Sequence, residues 1–540
     1  MKTWQKFALW YSALTLAYLY PLVLNFRSLA GHGDAWQFVW NFWWIKKAIT
    51  EPGAHLFYTN YLHWPDGISL LLQTFTLLNS MVGVVLSYAV GLVAAYNVLV
   101  IAHFIFAALA MYALCWYITK HHLAAFIGGF LFSFSPYHLV HFYGHLHLLS
   151  IEVFPLAVLF VLRTLEGKRW DWIGAGIVCG LTAYLDWYYF FFLFLMLGFL
   201  VIWQLACKAA SRNRSIILRL VLIAVLTALI ASPYLGTVAR GISQDLDVIG
   251  HDPLKNSNDL KSFFIPGGRS AYHEVTSWYW NHWPGWRESG SYVGLSVIFL
   301  LLWGFGKART NHFWLWTILG LLFAILSLGP YLQIGGRVVT SFHLPYDWLV
   351  RHIEVLQYAG VPARFFVVTS LCLGILVSKT ITKLTQYRRG TAMAIIFLIA
   401  LMIEYFPAPV EVSATTYSPF YTQLAQDRDQ YAIIDISDAP AKVLYYQTIH
   451  GHPLIDGYTT RPTISANTFL EKTLVVHDLV AEGERFRNKT PPQDGKKILM
   501  NLNVRYILIP RDEQDLKRYM AKLKLPLVYE DALLEAYQVY

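Results

Sequence analysis

Apolar runs recur along residues 6–407, and no other feature constrains the fold as strongly, because a backbone inside hydrocarbon must satisfy its own hydrogen bonds. The runs lie near 6–26, 96–118, 122–136, 147–164, 171–186, 187–206, 215–235, 291–306, 311–330, 363–383 and 390–407. Each approaches the length a helix needs to cross about 30 Å of hydrocarbon. They predict a mainly α, polytopic transmembrane bundle of about 11 spans over residues 1–407. Composition supports this, since 56% of residues are hydrophobic and only 14% are charged, too apolar a balance for a soluble globule. The net charge of +9 resembles a nucleic-acid footprint only in total. Its basic residues fall mainly in short loops between apolar runs, which is a topology signal.

Those residues also orient the chain. Lys2, Lys6, Lys120, Arg163, Lys168, Arg169, Lys208, Arg212, Arg214, Arg219, Lys307, Arg309, Lys383, Arg388 and Arg389 share one face if the N-terminus is cytoplasmic. The apolar stretch 76–94 would break that parity, so it is read as an interfacial or re-entrant helix. Loops 27–95, 236–290 and 331–362 are then external. The first apolar run lacks a clear small-residue cleavage site and reads as a retained anchor. The four cysteines all sit in apolar segments, which favours packing over a disulfide framework. Beyond residue 407 charge becomes frequent, and strand-like segments at 431–436 and 504–509 alternate with polar connections. Residues 408–540 therefore read as a soluble, extracytoplasmic α/β domain.

Four places carry chemistry. Gly31-His32-Gly33-Asp34-Ala35-Trp36 puts a carboxylate where the chain leaves the first run, ahead of the tryptophans Trp36, Trp40, Trp43 and Trp44, which suggest an interfacial belt. Asp34 suits either a general base or the N-cap of the next helix. In the stretch Ser135–His147, His138, His141 and His145 stand at helical spacing and could hold a phosphate, shuttle a proton or ligate a metal. A divalent metal is the weaker branch, because no carboxylate or cysteine lies at ligand spacing. Asp186, in Leu185-Asp186-Trp187-Tyr188-Tyr189, is either an acid needing a partner or an ordinary turn residue. Arg364 follows Pro362 at the start of a span, where it could grip a headgroup-level phosphate or snorkel to lipid. Arg364 with His138, His141 and His145 is assigned as the phosphate-binding set on these grounds, and Trp36, Tyr137 and Tyr188 within the same motifs are expected to line the substrate. Trp278, Tyr279, Trp280, Trp283 and Trp286 offer flat faces for sugar rings or for interfacial anchoring. The stretches 446–453 and 457–461 read as ligand-contacting loops or as turns. No P-loop, dinucleotide fingerprint or zincin motif is present.

The opening of the chain resembles that of the GT-C membrane glycosyltransferases: a span, then Gly-Asp at the head of a long external loop, a return to the basic turn Thr119-Lys120-His121-His122, and a third span emerging at Ser135-Pro136-Tyr137. It is most similar to bacterial members related to the protein mannosyltransferases and the lipid A aminoarabinose transferase. The resemblance implies a sugar carried on a polyprenyl phosphate, Asp34 as the base that deprotonates an acceptor hydroxyl, and inversion as the lipid phosphate departs. Many relatives pair two acids in the first loop, whereas Asp34 stands beside Ala35. A second acid would come from Asp186 or Asp66. The expected partners are the polyprenyl-phosphate sugar, a glycan, lipid or protein acceptor and membrane lipids, with no nucleic acid. The expected location is the cytoplasmic (inner) membrane. A transporter or flippase of lipid-linked glycan, or a non-catalytic envelope-assembly protein, are the competing expectations. No cofactor is required by the sequence, with a divalent metal left open.

Overall fold

A computed structural model describes residues 3–207, 213–242, 250–283, 290–307, 311–353, 356, 360–461, 463–480 and 490–540. Lys2, Trp286, Lys208, Arg212 and Arg309 lie outside the described residues. The chain divides into two compact units, one of Met1–Asn25, Asn97–Gly236 and Gly250–Glu411, the other of Phe26–Tyr96, Thr237–Ile249 and Val412–Tyr540.

The first unit is helical. Among the described residues six helices are long and apolar enough to cross a membrane: Leu92–Thr119, His122–His141, Leu146–Leu165, Trp187–Cys207, Arg214–Gly241 and Pro362–Leu384. The other apolar runs also form helices, but Thr3–Tyr18, Asp171–Thr182, Leu295–Lys307, Asn311–Ser327 and Gly390–Glu404 have only 12 to 17 residues. At 1.5 Å per residue these rise about 18 to 26 Å, short of a full hydrocarbon crossing on their own. Pro362–Leu384 is largely buried, whereas Trp187–Cys207 and Arg214–Gly241 expose apolar side chains such as Phe194, Ile202 and Leu229. An apolar surface of that extent is stable against lipid, and the protein is a multi-pass membrane protein.

Small residues set how closely the central helices approach. A Cβ on Gly128 would stand 2.2 Å from Ser378 Oγ and 2.8 Å from Cys115 Sγ, so the helix His122–Ser133 packs almost backbone to backbone on Phe366–Leu384. Ser378 Oγ donates to the Ala124 carbonyl at 2.8 Å across the same contact. Gly128→Val is expected to cost roughly 1–3 kcal/mol by overpacking. A thermal-inactivation curve of the detergent-solubilised protein checks this, and an unchanged curve would mean the helices can part freely. Elsewhere in the bundle Glu404 sits at the end of its helix and accepts from Tyr292 Oη, the Leu295 and Ser296 amides and Ser296 Oγ. It thereby serves the exposed amides at the start of Leu295–Lys307 from a distant part of the chain.

The second unit contains a four-stranded sheet: β1 (Ala432–Asp435), β2 (Val504–Pro510), β3 (Leu527–Glu530) and β4 (Leu534–Gln538). Their order is β1-β2-β4-β3, with β1 and β2 parallel and the remaining pairs antiparallel. Ile434, Ile507 and Ile509 join Val475, Val476, Leu499, Tyr519 and Met520 in its core. The first loop is built into the same unit. Leu29–Ala30 pairs antiparallel with Val412–Ser413, and the helix Ala35–Thr50 packs on Pro440–His450. Trp40 Nε1 donates to Gln447 Oε1 at 2.6 Å, Gln447 Nε2 donates to the Tyr61 carbonyl at 2.6 Å, and Trp64 Nε1 donates to the Leu502 carbonyl at 2.9 Å.

These contacts correct the expectation of an interfacial tryptophan belt. Trp36, Trp40 and Trp44 are buried, and Trp40 and Trp44 stack with centroids 5.8 Å apart. Their indole N–H groups find protein acceptors, Gln447 for Trp40 and the Leu56 carbonyl at 3.1 Å for Trp44, so an aqueous boundary is not what holds them. The stretch 76–94 forms the 14-residue helix Leu77–Val90, which ends at Gly91 with φ +83° before Leu92–Thr119 begins. Gly83 fits against the ring of Phe42 on one side of that helix, while Met81, Val85 and Tyr88 are exposed.

Candidate functional site

Chemistry-bearing side chains gather in both units. In the second, the residue after the Gly-His-Gly turn is Asp34, which takes helical dihedrals at the N-cap position of Ala35–Thr50 yet makes no side-chain cap hydrogen bond. Its carboxylate accepts instead from Tyr458 Oη, with Oδ1 as the acceptor. Both residues are half-buried. The Tyr458 phenol is held well above its usual range, first by burial and then by the Asp34 charge, so it remains a donor. Trp36 is 3% exposed and lies against the Tyr445 ring at 5.0 Å.

In the first unit the histidine-rich stretch forms a short helix, Pro136–His141, then a turn and the 3-10 segment Leu146–Leu149. Ser135 caps the helix, its Oγ accepting from the His138 amide at 3.3 Å. His138 is fully buried, with Nδ1 2.7 Å from the Ser133 carbonyl and Nε2 3.0 Å from the Leu149 carbonyl. Both nitrogens face backbone acceptors, so this ring ties the turn together. His141, His145 and His147 form a chain of rings, with centroids 5.4 Å apart for the first pair and 5.8 Å for the second. His147, at the end of the same motif, places Nε2 3.9 Å from Asp186 Oδ2.

Asp186 has two tasks. Its Oδ1 accepts from the Tyr189 amide at 2.9 Å and so caps Trp187–Cys207, while its other oxygen faces His147. Tyr137 and Tyr189 meet through their hydroxyls at 3.1 Å, and Tyr189 Oη donates to the Leu148 carbonyl at 2.6 Å. Arg364 is 6% exposed in the 3-10 turn Pro362–Phe365, and its guanidinium lies 4.8 Å from the centre of the Tyr188 ring. Stacking occupies the face of the guanidinium, whereas its N–H donors lie in its plane, where an anion would be gripped. Thus the histidine chain, Asp186, Tyr137, Tyr188 and Arg364 belong to the first unit, and Asp34 and Trp36 to the second. Sequence reasoning missed the partly buried pair His103 Nδ1–Glu152 Oε1 at 2.9 Å, whose only linear signal is an acid five residues past His147. Among the described residues no group of three or more His, Cys, Asp or Glu is arranged to hold a metal ion.

The aromatic loop splits in two. Trp278 is 62% exposed beside Val275, as an interfacial anchor would be, while Tyr279, Trp280 and Trp283 pack together. A cavity of 550 Å³ lies against Ser277, Trp280, Asn281, His282 and Trp283. Its lining joins indole surface with polar side chains.

A family model described as a domain of unknown function, DUF6311, matches residues 27–405. The chain belongs to the DUF6311 family. No curated protein matches this DUF6311 chain at a significant level. Among solved structures it is similar to the arabinofuranosyltransferase AftD from Mycobacteria, at 12% identity and TM-score 0.61, covering 99% of the DUF6311 chain and 40% of AftD. It is also similar to the oligosaccharyltransferase of Archaeoglobus fulgidus, at 13% identity and TM-score 0.50, covering 93% of this chain and 68% of that one. The DUF6311 chain thus spans about 40% of the length of AftD. Likeness at such identity speaks for the fold, and the fold is that of the GT-C membrane glycosyltransferases.

Proposed function

We propose that this protein is an integral-membrane glycosyltransferase that moves a sugar from a polyprenyl-phosphate donor to an envelope glycan, lipid or protein acceptor at the external face of the cytoplasmic membrane, with inversion. The observation that carries the reading is Asp34: a carboxylate at the head of the first loop, on the GT-C fold, that is not used to cap its helix and is held by a phenol. Asp34 takes the proton of the acceptor hydroxyl as that oxygen bonds to the anomeric carbon. The bond from that carbon to the phosphate breaks on the opposite face, and its electron pair leaves with the lipid phosphate. Within the first unit Arg364, stacked on Tyr188, is the cation suited to a lipid phosphate, and His141, His145 and His147 are the imidazoles grouped in that unit, with Asp186 facing His147. Tyr137 and Tyr188 line that region, and Trp36 packs on Tyr445 in the second unit.

Reconstitution tests this. Proteoliposomes carrying polyprenyl-phosphate sugars extracted from native membranes are expected to release free polyprenyl phosphate in step with glycosylated acceptor. Movement of the lipid-linked sugar between leaflets with no such release would establish the transporter reading instead. For the anion lining, Arg364→Gln is expected to weaken donor use about 10- to 100-fold, and Arg364→Lys by less, because lysine keeps the charge and loses the planar donor fork. The donor KM of each variant measures it, and equal values for the two would remove the guanidinium from the site.

A further inference from the structure

The loop Gly457-Tyr458-Thr459-Thr460 is fastened to the first loop on both sides of Tyr458 without any help from its hydroxyl. Ahead of it, the His63 amide donates to the Asp456 carbonyl at 3.1 Å, and Gly457 fits so closely that a Cβ there would stand 2.7 Å from Leu62 Cδ2. Behind it, Thr460 Oγ1 lies 3.1 Å from Thr74 Oγ1. A loop anchored twice does not require a further bond from a phenol to a carboxylate. The loop therefore has anchors besides the Tyr458–Asp34 hydrogen bond.

We propose that Tyr458 is a positioning residue for Asp34, fixing the orientation of its carboxylate and favouring its ionised form. The proposal rests on reading Asp34 as the general base. Tyr458 lies outside residues 27–405, the stretch that the family model matches. An ionised carboxylate only accepts hydrogen bonds, so the phenol must donate, and a donor to the charged form lowers the carboxyl pKa. It also restrains rotation of the carboxylate, which favours a single approach of the acceptor hydroxyl. Titratable groups near Asp34 include His32, two residues earlier, and Tyr96, which lies within electrostatic range of its charge.

The test reads the ionisation of Asp34 directly and needs no identified sugar. The full-length protein in nanodiscs is treated with a water-soluble carbodiimide across pH 3–8, and the fraction modified at residue 34 is measured by mass spectrometry. Tyr458→Phe is expected to raise the midpoint by roughly 1 pH unit. Tyr529→Phe, a phenol removed from strand β3 of the same unit, is expected to leave it in place. Difluorotyrosine incorporated at residue 458, a stronger donor in the same space, is expected to lower the midpoint and keeps the test valid if the phenylalanine variant folds poorly. Identical midpoints in the wild type, the phenylalanine variant and the fluorinated protein overturn the proposal. A midpoint that moves while transfer keeps its rate and pH profile leaves the pair standing and removes Asp34 from the base role.

Discussion

Asp34→Asn is expected to lower sugar transfer by about 10²- to 10⁴-fold, the usual worth of a positioned general base. The substitution is a mild one structurally. The Asp34 side chain makes no cap hydrogen bond to its helix, and an asparagine carbonyl can still accept from Tyr458, so the loss would fall on proton transfer rather than on folding. The rate of polyprenyl phosphate release by the reconstituted variant measures it, alongside the transbilayer movement of the same lipid. Transfer at the wild-type rate would end the base assignment.

A second large effect concerns the end of strand β1. Burial pushes the Asp435 carboxyl up to about 6, and burial together with the Asp435 charge pushes Asp456 up to about 7, both from an ordinary 3.8. Acids with raised pKa values bind more protons folded than unfolded, so the second unit should lose stability as pH rises from about 4 to about 7 and be flat above that. Asp435 keeps partial compensation, since Tyr421 Oη donates to it at 2.8 Å and Ser437 Oγ at 2.7 Å. Asp456 retains some solvent access, which trims its share to roughly 2–4 kcal/mol. Asp456→Asn is expected to stabilise the unit by that amount at pH 8 and by nothing at pH 4. Hydrogen exchange of Ala432–Asp435 and Val504–Pro510 follows the unit alone, and a pH-independent difference between the proteins would refute the linkage.

The helices were legible because burying a backbone in hydrocarbon forces long apolar runs, and such runs are visible in one dimension. Strands β1 and β2 showed for a related reason: both are β-branched, apolar and bounded by polar connections. Strands β3 and β4 carry Glu530 and Glu535 within short stretches, which blurs their alternation. Asp186 was legible as an acid at a helix start, yet its dual use as a cap and as the partner of His147 depends on a turn that no local pattern encodes. The tryptophans after Asp34 carried the composition of an interface and proved to be core, because what covers them comes from Tyr445 and Gln447. The same distance hides Tyr458, since a contact between residues 34 and 458 leaves no periodic trace in either segment.

The pairing of Leu29–Ala30 with Val412–Ser413 has a bearing on biogenesis. During synthesis the early segment emerges long before its mate exists, and at roughly 5–20 residues per second the interval spans about twenty seconds to more than a minute. Throughout that time Trp36 and Trp40 lack the cover that Tyr445 and Gln447 provide, which makes the nascent chain a natural client for holding factors at the translocation site. A ribosome stalled between the end of Gly390–Glu404 and Tyr458 would leave the apolar helices complete and Asp34 without its phenol partner, an inert product marked by its bare indoles.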